Sequence, residues 1–538
     1  MTQTQPLAAV SPWAPFRRRA FFWLWLGVVV SSVGMWAQTV GAQWLFVDDP
    51  NAATIVTLLQ TASTLPMMLL ALPAGVLADA FDRRWLMFVV QAYFVAVAVL
   101  LAVLTAAGMM PPALLLAFTF AIGAGMAVLL PAWQALISDL VPRNELAAAT
   151  RLDMVSVNVA RAAGPALAGL VIATWGVAPV FALSAVAFAF LGVVLLAWRR
   201  PRVSRREREP FLPALVAGGR YVRHEPVVRR ILFRLAGFIA PATAVWALLP
   251  LIANRQLGLG ADGYGLLFAA LGIGAVVGAL CLGAVKRHVS SNGVLGLSAI
   301  LFALAFAALV SAPNLWVAFP LLVVCGFGWT ATVSTIISEL QLFLPGWVRA
   351  RAISVYLMVF LGCQAIASPI WGVVTQQFDL RVAMLAAASL VAVSALGGIA
   401  LKIPESQHLD RSPLAYWGPA TVELEPDPDA GPVVVSIRYE VSAEREAEFL
   451  SAMELMRRSR LRSGASGWDL YRVGECPDLF LEQFSVPTWQ EHMRQHDGRL
   501  TAEDQAIEDA AFAHIVGTPR AEHLLPPTAT RDSMHPHE

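Results

Sequence analysis

The chain has 538 residues, 57% of them hydrophobic and 14% charged, with mean hydropathy +0.64. Soluble domains carry about 25% charged residues, so most of this length cannot face water, and neither a soluble enzyme nor a nucleic-acid-binding protein fits the whole. Residues 1–402 hold 26 Lys+Arg against 13 Asp+Glu and residues 403–538 hold 12 against 24, so the overall +1 divides into a basic membrane part and an acidic soluble tail.

In chain order, Arg17, Arg18 and Arg19 precede a first apolar stretch of about 28 residues. A signal-peptide core is only 7–15 residues long, so this stretch is read as a retained helix. About twenty apolar residues span a bilayer, and twelve stretches qualify. They lie near 20–47, 53–78, 85–108, 111–138, 147–174, 178–198, 231–254, 263–285, 293–311, 314–340, 350–377 and 382–402. Lys and Arg favour cytoplasmic loops. With the N-terminus inside, 22 basic residues of the membrane part fall on the cytoplasmic side, and Arg255 and Arg381 fall on the other. Arg161 and Arg234 lie within helices. Both termini are therefore expected in the cytoplasm. Only Lys286 and Lys402 are lysines; with the alanine richness this points to a GC-rich bacterial genome and hence the inner membrane.

The expected organisation is a six-helix half (1–198), a basic linker with ten Arg (199–230), a second six-helix half (231–402), a Pro- and acid-containing linker (403–430), an α+β domain (431–525) and a disordered tail (526–538). The halves repeat at an offset of about 203 residues. Ile137-Ser138-Asp139-Leu140 matches Ile337-Ser338-Glu339-Leu340, Pro142 matches Pro345, and Gly164-Pro165 parallels Ser368-Pro369. Gly75, Arg83 and Arg84 match Gly278, Lys286 and Arg287. Parallel six-helix repeats suit a transporter that rocks two halves about a midplane site.

Between the second and third stretches the chain reads Gly75-Val-Leu-Ala-Asp79-Ala-Phe-Asp82-Arg83-Arg84. This resembles the signature G-x-x-x-D-[RK]-x-G-R-[RK] of the major facilitator superfamily, with Ala80 and Asp82 departing from it. Glycine allows close helix approach, an acid can face a helix N-terminus, and an arginine can pair with a carboxylate. Asp139 is the expected partner of Arg83, in a cluster that would lock the outward-open state. Helix 5 carries Gly164-Pro165-Ala-Leu-Ala-Gly169, which looks like the G-P-x-x-G exporter motif with Gly169 one residue late. It tilts the expectation towards efflux.

Intramembrane charges mark partners or pathways. Arg151, Asp153, Asn158 and Arg161 share helix 5, with Arg161 near mid-membrane as the candidate contact for an anionic substrate. Asp153 is the candidate proton carrier, followed by Asp48 and Asp49, with uniport or another coupling site left open. Trp36, Gln38, Gln43, Gln60, Trp246 and Trp329 are candidate cavity residues for a large, partly aromatic substrate. No Walker A pattern occurs, so the proton gradient rather than ATP is the expected energy source, and no cofactor is expected.

In the tail, 433–440 alternates like a strand, Ser442 is expected to cap a helix to about Arg462, and strands follow near 467–473 and 479–485. Helices fill 487–515 and a short strand lies near 520–525. This β-α-β-β-α-(β) order is ferredoxin-like. It resembles the antibiotic-biosynthesis-monooxygenase-like domain, which raises Trp468, His492 and His496 as catalytic candidates. His492 and His496 have a metal-compatible spacing, but no third ligand is evident and no metal is assigned. Docking or dimerisation is the expected role. Cys281, Cys325, Cys363 and Cys476 have no disulfide or zinc spacing. The whole layout resembles the transmembrane secretion effector branch of the superfamily, near the enterobactin exporters. That resemblance implies export of a siderophore, another natural product or a drug. A membrane-anchored enzyme or a ligand sensor acting through the tail are the alternatives.

Overall fold

A computed structural model describes residues 11–142, 144–198, 219–404, 414, 417, 422–424 and 426–527. Among these, twelve helices are long and apolar enough to cross a membrane. They are α1 (Arg19–Trp44), α2 (Ala52–Ala80), α3 (Arg83–Ala106), α4 (Pro112–Leu140), α5 (Leu146–Trp175) and α6 (Ala178–Ala197). The second set is α7 (Pro226–Leu251), α8 (Ala261–Val285), α9 (Ser291–Leu309), α10 (Leu315–Phe343), α11 (Gly346–Gln377) and α12 (Leu380–Ala400). The shortest, α9, has 19 residues, which at 1.5 Å per residue gives about 28 Å, close to the hydrocarbon thickness.

Two helices start earlier than the apolar stretches suggest, α7 at 226 rather than 231 and α11 at 346 rather than 350. Hydropathy sees only the part inside lipid. Arg229, Arg230 and Arg349 continue the same hydrogen-bonded helices beyond it. Prolines lie inside α2, α4, α5, α7, α10 and α11, where packing partners in a bundle absorb the lost bonds.

Two compact units result. The first spans 1–206, 232–337 and 356–402, and so holds most of both six-helix sets. Its buried clusters lie at opposite ends of the first set. Phe21, Leu24, Met87, Trp133 and Leu195 form one, and Ile55, Phe94, Leu101, Phe181 and Phe188 form the other. Small residues bring helices together elsewhere. A Cβ on Gly164 would stand 2.6 Å from Trp36 Cβ on α1, and one on Gly169 would stand 2.5 Å from the Ala261 carbonyl on α8. Gly265 meets Gly169 across the same seam, where its own Cβ would lie 2.5 Å from the Pro165 carbonyl. Gly164 therefore packs within the first set, while Pro165 and Gly169 close against the second.

The second unit spans 207–231, 338–355 and 403–538. It unites the tail domain with the beginnings of α7 and α11 and the end of α10, a grouping that the sequence division into halves and tail does not anticipate. Of the basic linker, 199–218 lies outside the described residues. Residues 528–538 of the expected disordered tail do so as well.

In the tail domain, β1 (Val433–Glu440), α13 (Glu446–Ser463), β2 (Gly467–Arg472) and β3 (Leu479–Val486) come first. α14 (Trp489–Arg494), a π-helical turn (Gln495–Arg499), α15 (Ala502–Phe512) and β4 (Val516–Leu524) follow. The antiparallel sheet has the order β2-β3-β1-β4. Val435 pairs with Phe484 and with His523, so these three share one face with the buried core of Tyr439, Phe449, Met453 and Phe480. Ser442 does not cap α13. Its carbonyl accepts from Arg445 N at 3.0 Å, making a turn that delays the helix to Glu446.

Candidate functional site

A cavity of about 660 Å³ lies between the two helix sets, within the usual range for small-molecule sites. α4 gives it Gln134 and Ser138, α5 gives Thr150, Asp153, Asn158 and Arg161, α10 gives Trp329 and Ser334, and α11 gives Phe360. It lies towards the ends of α4 and α10 and the start of α5.

Away from the cavity the sets are joined, from the middle of the bundle to the opposite end. Thr61 Oγ1 donates to the Ala365 carbonyl at 2.8 Å, Ser368 Oγ to the Thr57 carbonyl at 2.8 Å, and Gln60 Nε2 to Gln364 Oε1 at 3.4 Å. Tyr264 donates to Gln43. At the far loops Asn254 Nδ2 donates to Asp48 Oδ1 at 3.2 Å, and Arg255 Nη2 donates to the Asp49 carbonyl at 3.2 Å. The bundle is thus zipped at one end and hollow towards the other.

Inside the cavity, Asp153 Oδ1 accepts from Trp133 Nε1 at 2.7 Å, which fixes the carboxylate's direction. Asn158 Nδ2 donates to the Met154 carbonyl of its own helix at 2.9 Å. Arg161 stands 5.7 Å from the centroid of Trp36, a cation–π separation. Its Nε is buried with no hydrogen-bond partner among the described residues, and a buried donor without a partner calls for one. Arg151 is exposed on α5.

The cavity candidates separate into three groups. Asn158 and Trp329 line the space. Trp36 and Trp246 stand behind it, joined through Phe268 at 5.7 and 5.4 Å, and Trp246 meets Trp329 at 5.7 Å. The Nε1 of Trp246 and the Oε1 of Gln38 are buried without partners among the described residues. Gln43 and Gln60 are seam contacts rather than cavity walls. A mid-helix amide satisfies itself against a facing helix when one is within reach, and Tyr264 and Gln364 are. Phe268, Phe360, Trp133 and Ser334 carry no signal in the sequence beyond being apolar or small in an apolar run.

In the α2–α3 turn, Gly75 and Asp79 lie in the last turns of α2, and the Asp79 side chain falls outside the described residues. Arg83 Nη1 donates to Asp139 Oδ2 at 2.9 Å and to the Ala135 carbonyl at 3.0 Å. Both partners lie in the first helix set, so this pair coexists with the hollow end and does not by itself bridge the halves. Arg84 donates to the Leu195 and Leu196 carbonyls at the end of α6, where cations suit the helix dipole. Asp82 caps α3, accepting from Arg84 N at 2.9 Å; its departure from glycine thus has a structural use. Arg18 adds an ion pair to Glu145 at 2.9 Å, which spacing alone does not reveal.

In the second unit the charges are buried and shared. Arg462 binds Asp504 at 2.7 Å, Glu225 at 2.9 Å and Glu503 at 3.2 Å. Arg460 binds Glu482 at 3.2 Å and Glu508 at 2.9 Å. Burial alone would push the Asp504 carboxyl up, but the Arg462 charge and hydrogen bonds from Ser459, Arg462 and Thr501 hold it below the usual carboxylate range. Trp468 Nε1 and Tyr439 Oη both donate to Glu482, at 2.7 and 2.6 Å. Trp468, a catalytic candidate, is thereby committed to a neighbour inside the domain. Trp347 Nε1, at the start of α11, donates to the Arg499 carbonyl at 3.1 Å, and the Arg499 guanidinium lies 5.0 Å from the Trp347 ring. His492 is buried, and burial pushes its imidazole down to about 4 against the hydrogen bond to Gln495, with His523 and His496 adding to the fall. His496 lies beside it, and the structure adds His523 from β4 as a third imidazole.

The comparisons with known proteins agree on the class. The family described as Transmembrane secretion effector matches residues 10–531. The chain belongs to this family. Relatives include the Staphyloferrin A transporter of Staphylococcus aureus, 22% identical over 387 residues, which are 70% of this chain and 96% of that protein. The enterobactin exporter EntS of Shigella boydii is 32% identical over 205 residues, 38% of this chain and 48% of the exporter; the match spans about half of that relative's length. Among solved structures, a bacterial homolog of the human lysosomal transporter Spinster covers 72% of this chain and 97% of its own at TM-score 0.58 and 15% identity. The nucleoside transporter NupG covers 70% and 98% at TM-score 0.56 and 12% identity. The fold is that of the major facilitator superfamily, and this member of the family is a multi-pass inner-membrane transporter of small molecules rather than an enzyme.

Proposed function

We propose that the chain exports an anionic, partly aromatic small molecule of the siderophore class from the cytoplasm, by alternating access coupled to proton entry. The observation that carries this reading is Arg161. It is a cation deep in α5 and on the cavity wall, placed over Trp36 and holding a buried Nε with no partner among the described residues. A substrate carboxylate or phenolate would supply the missing acceptor, and the aromatic row Trp36–Phe268–Trp246–Trp329 would receive its rings. The relatives named for Staphyloferrin A and enterobactin support the same class.

The positive-inside rule puts the hollow end, with the α4–α5 loop and both termini, in the cytoplasm. On that orientation the cavity loads from inside while the α5–α8 glycine seam and the α2–α11 hydrogen bonds keep the outer side shut. Opening outward requires those contacts to part and the ends of α4 and α10 and the starts of α5 and α11 to close. Asp153, held by Trp133 on the cavity wall, is the carboxyl best placed to take up a proton as the substrate leaves and release it inside. In the second unit, the shared contacts of the tail with 219–231 and 338–355 favour docking on the helix ends over dimerisation as the tail's role.

The test compares metabolites inside cells and in the medium, by mass spectrometry, for wild-type and gene-deleted strains in iron-poor and iron-rich growth. The reading expects an anionic compound that builds up inside and falls outside when the gene is lost. Identical profiles in both media would overturn it.

A further inference from the structure

Outside the transport cavity, the tail domain brings three imidazoles together from three elements. His492 lies on α14, His496 in the π-helical turn and His523 on the edge strand β4, and each offers a ring nitrogen within 4.8 Å of the others. The geometry points to a binding site for one divalent transition-metal ion of the zinc class on His492, His496 and His523.

Three observations carry it. The Nε2 atoms of His492 and His496 are 3.3 Å apart. Two imidazole nitrogens bound to one tetrahedral Zn²⁺ at 2.0–2.1 Å stand about 3.4 Å from each other, so this pair already has the spacing of two ligands on one ion. A hydrogen bond between the two rings would give a similar distance, but it would not call for a third imidazole at the same point. Second, His492 Nδ1 donates to Gln495 Oε1 at 3.1 Å. Such an outer hydrogen bond fixes the tautomer that turns Nε2 and its lone pair towards a metal. Third, aromatic rings flank the three imidazoles, with the Arg460 guanidinium near enough to act on His492. Trp489 stands 5.5 Å from His492 and 5.7 Å from His523, and Trp417 stands 5.0 Å from His496. The donors among the described residues are imidazoles, which suit Zn²⁺, Cu²⁺, Ni²⁺ or Co²⁺ better than Mg²⁺ or Ca²⁺.

The position gives the ion a mechanical consequence. Two of its ligands sit at the head of the segment 492–499, whose end grips Trp347 through the Arg499 carbonyl and guanidinium. Gln495, which orients His492, also donates to Ser463 Oγ at 3.5 Å at the end of α13. An ion on the three histidines ties β4 to this segment and stiffens the hold on the start of α11.

The test uses the purified full-length chain with any affinity tag removed, titrated with ZnCl2 and separately with CoCl2. One ion per chain and the visible bands of tetrahedral Co²⁺ are expected. His523→Gln, on the partly exposed edge strand, is expected to weaken Zn²⁺ binding at least tenfold, and His496→Gln likewise. His514→Gln, outside the cluster, is expected to leave binding unchanged. Absence of binding to the wild-type chain, a Co²⁺ spectrum without tetrahedral bands, or affinity unaffected by both His496→Gln and His523→Gln would overturn the site. The wild-type spectrum decides the matter even if a variant fails to fold.

Discussion

Arg161 is half-buried and Arg462 is buried, and the two arginines are treated in opposite ways. Arg161, in the membrane unit, has one aromatic ring beside it and a donor with no partner among the described residues. Arg462, in the second unit, holds three carboxylates within 3.2 Å. Removing a charge from water is costly unless partners replace the water. Where carboxylates surround the charge, it belongs to the structure; the donor left over on Arg161 is the one the proposed substrate would fill. The same contrast separates the contacts that hold each unit. The membrane unit closes its seam with glycines and single hydrogen bonds that can part, and the second unit closes on ion networks that cannot part cheaply.

Breaking the completed network should have the largest effect. Arg462→Leu leaves Glu225 and Asp504 buried without their cation, and loss of one member of a buried pair costs about 3–5 kcal/mol. Hydrogen exchange of the full chain in detergent should show loss of protection across α13 and α15, with the membrane helices unchanged. Acid probes the same network. The folded-state pKa of Asp504 lies below its unfolded value, so the unfolded chain takes up the proton first. The stability this group provides is therefore complete above about pH 4 and is lost as pH falls further. A tail domain that loosens already between pH 7 and 5 through this group would contradict the assignment.

Filling the membrane seam should come next. Gly169→Val places side-chain atoms against the Ala261 carbonyl, and overpacking of this kind costs about 1–3 kcal/mol. If, as proposed, the seam is closed in only one state of the cycle, the cost falls on that state, and transport should drop about tenfold at normal expression. Equal transport by Gly169→Val would mean that the seam is not part of the cycle. Asp153→Asn keeps an acceptor for the Trp133 indole but cannot carry a proton. It should abolish transport driven by a pH gradient and spare substrate exchange at equal pH. Arg83→Ala should have the smallest effect. The Arg83–Asp139 pair is partly exposed and lies within one helix set, so about 0.2–1 kcal/mol is expected, with a transport loss below about fivefold.

How much of this was legible in the sequence follows the same division. Twelve apolar stretches and the tail's strand alternation are local periodicities, and the helices and strands stand close to where those place them. Arg161 was legible because an arginine in an apolar run has few explanations. The Arg462 network was not, since Glu225 lies 237 residues away and a charged residue on an amphipathic helix looks like solvated surface. His523 joined His492 and His496 only through the β1–β4 pairing, which no spacing encodes. The sequence cannot separate Gln43 and Gln60 from cavity residues, because polarity marks a residue that needs a partner without saying that a facing helix supplies it.

The most direct test of the account is uptake of the compound retained by the deletion strain into inside-out membrane vesicles, comparing the wild-type chain with Arg161→Ala at matched expression and an imposed pH gradient. The account predicts gradient-driven accumulation by the wild-type chain and at least a tenfold loss in the variant, with the anionic group of the substrate required. Full accumulation by Arg161→Ala would contradict the claim that this arginine awaits the substrate's charge.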